Sequence, residues 1–226
     1  MALACGQKAS DARIFRYFEA HSMPCEGDLV EVFPTVGNAA AIALADVCGR
    51  DARARGHAGF LRHAIRALAD QCTPGRLLKT LNTAFYNYAT RWDDDRFASM
   101  FLATLQGTHL TYASAGHDLA LLVGGDGRHR HLPSTGMVLG IRDGECYQER
   151  IVRLMPGDWL VLVSDGVTDT RDPFGTFFGT SGVVRSVLRA TSDADTDLAA
   201  CILEAARSHG AGSFMDDASV LCVTKA

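Results

Sequence analysis

The stretch that most constrains this chain is Ala39-Ala40-Ala41-Ile42-Ala43-Leu44-Ala45-Asp46-Val47-Cys48-Gly49. Its apolar run suits a strand buried on both faces, and a buried helix segment has the same periodicity. An aspartate then closes the run, and Gly49 permits a sharp change of direction. An ionised group at the end of a buried element is costly to desolvate unless something positive meets it. A capped surface turn is the plain alternative.

The pattern recurs. Asp158-Trp159-Leu160-Val161-Leu162-Val163-Ser164-Asp165-Gly166 is another apolar, β-branched run closed by an acid and a glycine. Phe214-Met215-Asp216-Asp217 precedes a third such run, and Glu26-Gly27-Asp28 opens a fourth at Leu29. Two carboxylates about 5 Å apart repel by about 3 kcal/mol at an effective dielectric near 20. Four at one rim would repel by on the order of 20 kcal/mol, more than the usual stability of a domain. Acids that converge in this way need cations, and an all-oxygen donor set favours Mg²⁺ or Mn²⁺ over zinc.

The length of 226 residues, with 47% hydrophobic and 21% charged content, is that of an ordinary globular chain with ample core. No repeat or linker interrupts it. One domain over residues 12–226 is therefore expected, preceded by an N-terminal tail over residues 1–11. A net charge of -4 without a basic block argues against nucleic acid. No apolar run has the length of a membrane span, and the N-terminus lacks the apolar core of a secretory signal. Seven scattered cysteines without a Cys-x-x-Cys pair read as reduced thiols packed as small hydrophobes, so a cytoplasmic location is expected.

Strands are expected at Ile14–Ala20 and Leu29–Phe33, with a turn at Gly37-Asn38 into the Ala39 run, forming an opening meander. Helices are expected over Gly56–Ala69 and from Thr73-Pro74 through Phe85, the second ending at the charged loop Trp92–Asp95. Further strands follow at Phe97–Leu105, Leu110–Ala113, Leu119–Val123, His129–Leu132 and Cys146–Leu154, and after a turn at Pro156-Gly157-Asp158 comes the strand that leads to Asp165. Helices at Val183–Arg189 and Asp197–Ser208 precede a last strand, Ala218–Thr224. Antiparallel strands with helices grouped in two places indicate an α+β fold.

Five segments occur in an order that resembles the SpoIIE/RsbU branch of the PPM-type (protein phosphatase 2C-like) metal-dependent serine/threonine phosphatases. They are Glu26–Phe33, Leu44–Arg50, Tyr112–His117, Leu154–Asp169 and Asp216–Leu221. The resemblance implies a four-layer αββα sandwich of two antiparallel sheets flanked by helices, with two Mn²⁺ or Mg²⁺ ions at one edge. Asp46 would bridge the ions and the Val47 carbonyl would ligate one of them. Asp165 and Asp216 would complete the other shell, and Asp28 would sit close by. Asp217 would be structural. His117 would serve in hydrogen bonding rather than as a proton donor.

The reaction implied is hydrolysis of phosphoserine or phosphothreonine on a partner protein of the anti-anti-sigma type, in bacterial partner switching. Control by a regulatory protein acting in trans is expected on the helix over Gly56–Ala69, which follows Asp46 directly. The chain departs from the family pattern at three places. Glu26 stands for the first of two glycines, Ala45 for the glycine before Asp46, and Arg50-Asp51 for a lysine- or histidine-glycine pair. None removes an expected ligand. The competing readings are a catalytically inactive PPM-fold binding module and a different metal hydrolase acting on a small phosphate ester.

Overall fold

A computed structural model describes residues 3–9, 12–19, 27–91, 95–190 and 197–225. In chain order the elements are β1 (Leu3–Ala9), β2 (Ala12–Glu19), β3 (Asp28–Thr35), β4 (Ala39–Val47), α1 (Ala52–Leu68), α2 (Pro74–Arg91), β5 (Ala98–Gln106) and β6 (His109–Ala115). Then come β7 (Ala120–Val123), β8 (His129–His131), β9 (Arg150–Arg153), β10 (Trp159–Val163), α3 (Asp165–Thr168), α4 (Gly179–Ala190), α5 (Leu198–His209) and β11 (Ala218–Lys225). These form two antiparallel sheets in two compact units, and the fold is α+β as expected.

One unit comprises Pro24–Asp118 and Pro133–Arg153. Its five-stranded sheet runs β3-β4-β5-β6-β9. The Ala39 run resolves as β4, a central strand, with Ala39 to Ala45 all buried. The turn before it needs left-handed backbone at two successive residues, Gly37 at φ 73° and Asn38 at φ 57°. Glycine and asparagine are the residues that accept this most readily, so the sequence sets the β3–β4 register. Helices α1 and α2 cover one face of the sheet: Leu61, Ile65, Leu77, Leu78, Leu81 and Phe85 pack with Leu29, Ala43, Ala45 and Met100.

Two polar devices fix α1. The buried Glu31 of β3 receives Arg62 Nε at 3.0 Å and Arg66 Nη2 at 2.5 Å, side chains one helical turn apart. At the helix start, Asp51 Oδ1 accepts from the Arg53 and Ala54 amides at 2.9 and 3.1 Å. This N-cap starts α1 four residues before the expected Gly56, because the side chain satisfies amides that would otherwise be orphaned. Pro74 opens α2 as expected, in the first turn where its missing N–H costs nothing.

The other unit comprises Met1–Met23, Leu119–Leu132 and Leu154–Ala226. Its six-stranded sheet runs β1-β2-β11-β10-β7-β8. Leu121, Val123, Val161, Val163, Val220 and Cys222 pack with Val183, Val187, Ile202 and Leu203 of α4 and α5.

Several expectations need correcting. Leu3–Ala9, within the segment expected to be a tail, is a strand paired along its length with β2. The opening meander does not form, since β2 pairs with β11 at the far end of the chain rather than with β3. β9 is confined to Arg150–Arg153, where it meets β6, so the residues from Cys146 to Glu149 lie outside the ladder. Among the five described thiols only Cys222 is buried, while Cys48, Cys146 and Cys201 are exposed. Trp92 to Asp94 of the expected acidic loop fall outside the described residues. No helix among the described residues is long and apolar enough to cross a membrane.

Phe85 is fully buried beneath α1, so Phe85→Ala is expected to cost about 3–5 kcal/mol in chemical denaturation. The amide of Ala54, and then Arg96, hold the Asp51 carboxyl below its ordinary range. A lowered folded-state value makes its contribution complete above that range and lost as the pH falls through the folded value. The difference in thermal midpoint between Asp51→Ala and the parent should therefore be largest near neutrality and shrink below about pH 4.

Candidate functional site

In the five-stranded unit the acids meet by register. Asp28, at the first position of β3, lies directly opposite Asp46, near the end of β4. Directly opposed positions in an antiparallel pair put Cβ atoms within about 4.5–5.5 Å, and like charges there are unfavourable. Asp28 is buried and Asp46 half-buried, so solvent screens the first poorly. Ser99 on β5 stands opposite Asp46 on its other side. Its Oγ is 3.3 Å from Nδ1 of the buried His117, whose carbonyl accepts from Ser114 Oγ at 2.9 Å.

The backbone beside this pair is oxygen-rich. The Val47 amide donates to the Gly27 carbonyl at 3.1 Å. A Cβ added at Gly27 would lie 2.8 Å from the Val47 carbonyl oxygen, 3.3 Å from that of Gly49 and 3.6 Å from Asp46 Oδ1. Only glycine permits this approach, which draws two carbonyl oxygens and a carboxylate oxygen together beside Gly27. That donor set suits a hard divalent cation, so Asp46 and the Val47 carbonyl fit the group the resemblance implies.

In the six-stranded unit the chain leaves β10 and enters α3 at Asp165, an exposed residue. Ser164 ties this point to the start of β11: its amide donates to the Ser219 carbonyl at 3.0 Å, and its Oγ accepts from the Ser219 amide at 2.9 Å. Gly166 abuts the acid pair, since a Cβ there would come within 2.0 Å of the Asp217 carbonyl oxygen. Asp165 and Asp216 are therefore carried on backbone segments in direct contact. Asp216 Oδ1 accepts from the Asp217 amide at 2.9 Å, and Asp217 itself is buried. Among the described residues, no three or more His, Cys, Asp or Glu side chains are gathered in an ion-holding group.

The departures from the family pattern now have structural readings. Ala45 sits inside β4 opposite Leu29 and Met100, and it is not among the described residues with left-handed backbone. Alanine is therefore unstrained there. Asp51 is the α1 cap. Glu26 lies outside the described residues. Sequence reasoning placed Gly27 and Gly166 beside their acids but not the close backbone contacts they permit, and it missed Arg96.

Two antiparallel sheets with their own helices and with aspartates at strand ends define a PPM-type phosphatase fold. A solved structure of the RsbU and RsbW domains of a Mycobacterium tuberculosis protein shares it over 61% of its length, with a TM-score of 0.80 at 20% identity and 99% of this chain covered. RsbX, solved in complex with magnesium, aligns with a TM-score of 0.71 at 14% identity over 99% of this chain and 100% of its own. The chain belongs to the SpoIIE family, whose model, Stage II sporulation protein E, matches residues 37–225. The phosphoserine phosphatase RsbU of Bacillus subtilis is 33% identical over 138 residues, which is 59% of this chain and 40% of RsbU. The chain spans 35% and 40% of the length of the two curated relatives it matches.

The tight approach at Gly166 gives a direct test. Gly166→Ala forces a methyl group onto the Asp217 carbonyl, and is expected to destabilise by at least about 1–3 kcal/mol in a urea titration.

Proposed function

We propose that this chain hydrolyses phosphoserine or phosphothreonine on a partner protein, using water activated by two divalent ions. The observation that carries the reading is Asp28 facing Asp46 across the β3–β4 register, beside the close approach of the Val47 and Gly49 carbonyls to Gly27. Membership of the SpoIIE family and similarity to a phosphoserine phosphatase support it. Asp28, Asp46, the Val47 carbonyl, Asp165 and Asp216 would hold the ions, Mn²⁺ or Mg²⁺. The magnesium complex of RsbX supports that choice.

When bound, the ions supply an acidified water and offset charge on the phosphoryl oxygens. The protein's own part is to hold the donors in place. β3 and β4 fix Asp28 and Asp46 through their ladder, and Gly166 fixes Asp165 against the Asp216 turn. Asp217 and His117 are supports: one lends its carbonyl to Ser164 Oγ at 3.3 Å, and the other is buried beside Ser99. No protein nucleophile is required, so no phosphoenzyme forms.

The partner of this reading is a phosphorylated protein of the anti-anti-sigma type, in the cytoplasm. The pairing of RsbU and RsbW domains in the mycobacterial neighbour supports a partner-switching setting. A regulator acting in trans would bear on α1, the helix that follows the Asp46 turn.

Turnover of a phosphoserine protein and of p-nitrophenyl phosphate should require Mn²⁺ or Mg²⁺ and stop with chelator. Asp46→Asn and Asp165→Asn should each reduce turnover by more than about a hundredfold, beyond the 10–100-fold typical of losing a supporting partner, with the fold intact by circular dichroism. Full activity in either variant would remove that residue from the site. Binding of the phosphoprotein without turnover would identify a binding module instead.

A further inference from the structure

The turn that follows Asp46 is held by a residue from a distant segment. Arg96 lies just ahead of β5, with its side chain only 19% exposed. Its Nη2 meets Asp51 Oδ2 at 2.8 Å and its Nη1 reaches the Cys48 carbonyl at 3.4 Å. Between those acceptors the guanidinium lies against Gly49: a Cβ there would stand 2.3 Å from Nη1 and 3.1 Å from Cζ. Gly49 has φ 113°, a backbone region suited to glycine, so conformation and space both require it.

The same turn is pinned through its backbone. The Cys48 amide donates to the carbonyl of Phe97, the neighbour of Arg96, at 2.9 Å, and the Val47 amide donates to Gly27. Asp51 meanwhile spends its other oxygen on the first amides of α1. One carboxylate therefore joins the α1 start to Arg96, and Arg96 joins both to the turn. This carboxylate stands where the family pattern has glycine, which offers no such group.

We infer that Arg96 is the positioning residue of the Asp46–Val47 turn, clasping the Cys48 carbonyl and the Asp51 carboxylate so that the Val47 carbonyl and Asp46 are presented to a divalent cation in a fixed arrangement. The inference rests on the metal-dependent reading above. A guanidinium is suited to the task because its planar fork serves two acceptors at once while its face lies on Gly49. An ammonium group has neither the fork nor the flat face. The cation then meets donors already in place, and less ordering is required on binding.

The test is Mn²⁺ affinity measured by calorimetry on the full chain, with the metal-free thermal midpoint recorded for every variant. Arg96→Gln is expected to weaken Mn²⁺ binding by about 10–100-fold, the usual cost of removing a partner that orients a ligand. Arg96→Lys should recover only part of that loss. Asp51→Asn keeps a capping oxygen for α1 but loses the ion pair, and it too should weaken Mn²⁺ binding. The Asp51→Asn/Arg96→Gln double variant should be no weaker than the worse single variant, because both changes release one clasp. A folded Arg96→Gln chain that binds Mn²⁺ within twofold of the parent overturns the inference. So does full recovery by lysine. If Arg96→Gln fails to fold, Asp51→Asn decides by the same twofold criterion. A parent chain that binds no Mn²⁺ overturns the metal-dependent reading itself, a result distinct from a variant that matches a metal-binding parent.

Discussion

The register of β3 against β4 is the constraint on which the rest depends. It buries a continuous apolar strand, and the same alignment sets two carboxylates face to face at the end of the pair. A sheet gains nothing from that opposition by itself. The carbonyl oxygens that crowd Gly27 make sense of it: the backbone gives up a side chain so that these oxygens gather beside the acids, an arrangement that suits something positive.

The second unit shows the same economy of backbone. Gly166 lets the start of α3 lie directly on the Asp217 carbonyl, and Ser164 links that point to β11 by two hydrogen bonds. Each acid pair is thus carried by a close backbone approach rather than by long side chains reaching across space. Short aspartates on rigid strand ends have few rotamers to lose, which suits donors that must hold their positions.

Much of this could be read from the residues because the signals are local. The apolar run of β4, the left-handed Gly37-Asn38 turn and the proline opening α2 each act within a few positions. The fourfold recurrence of an acid at the end of an apolar run marked the site residues in the same way. What escaped reading depended on partners far along the chain. β2 looked like the first strand of a meander, yet its ladder is with β11 near the other terminus. α3 spans only Asp165–Thr168, too short for any periodicity to show. Asp51 read as a departure from a pattern, while its role as a helix cap joined to Arg96 needs a residue 45 positions away.

The central proposal is that Asp28, Asp46, the Val47 carbonyl, Asp165 and Asp216 would hold two divalent ions. Anomalous diffraction from a crystal soaked in Mn²⁺ tests it most directly. The account predicts two manganese peaks, with oxygens of Asp46 between them and the Val47 carbonyl, Asp165 and Asp216 completing their shells. Manganese bound elsewhere on the surface, or no peak within coordinating distance of Asp46, would contradict it.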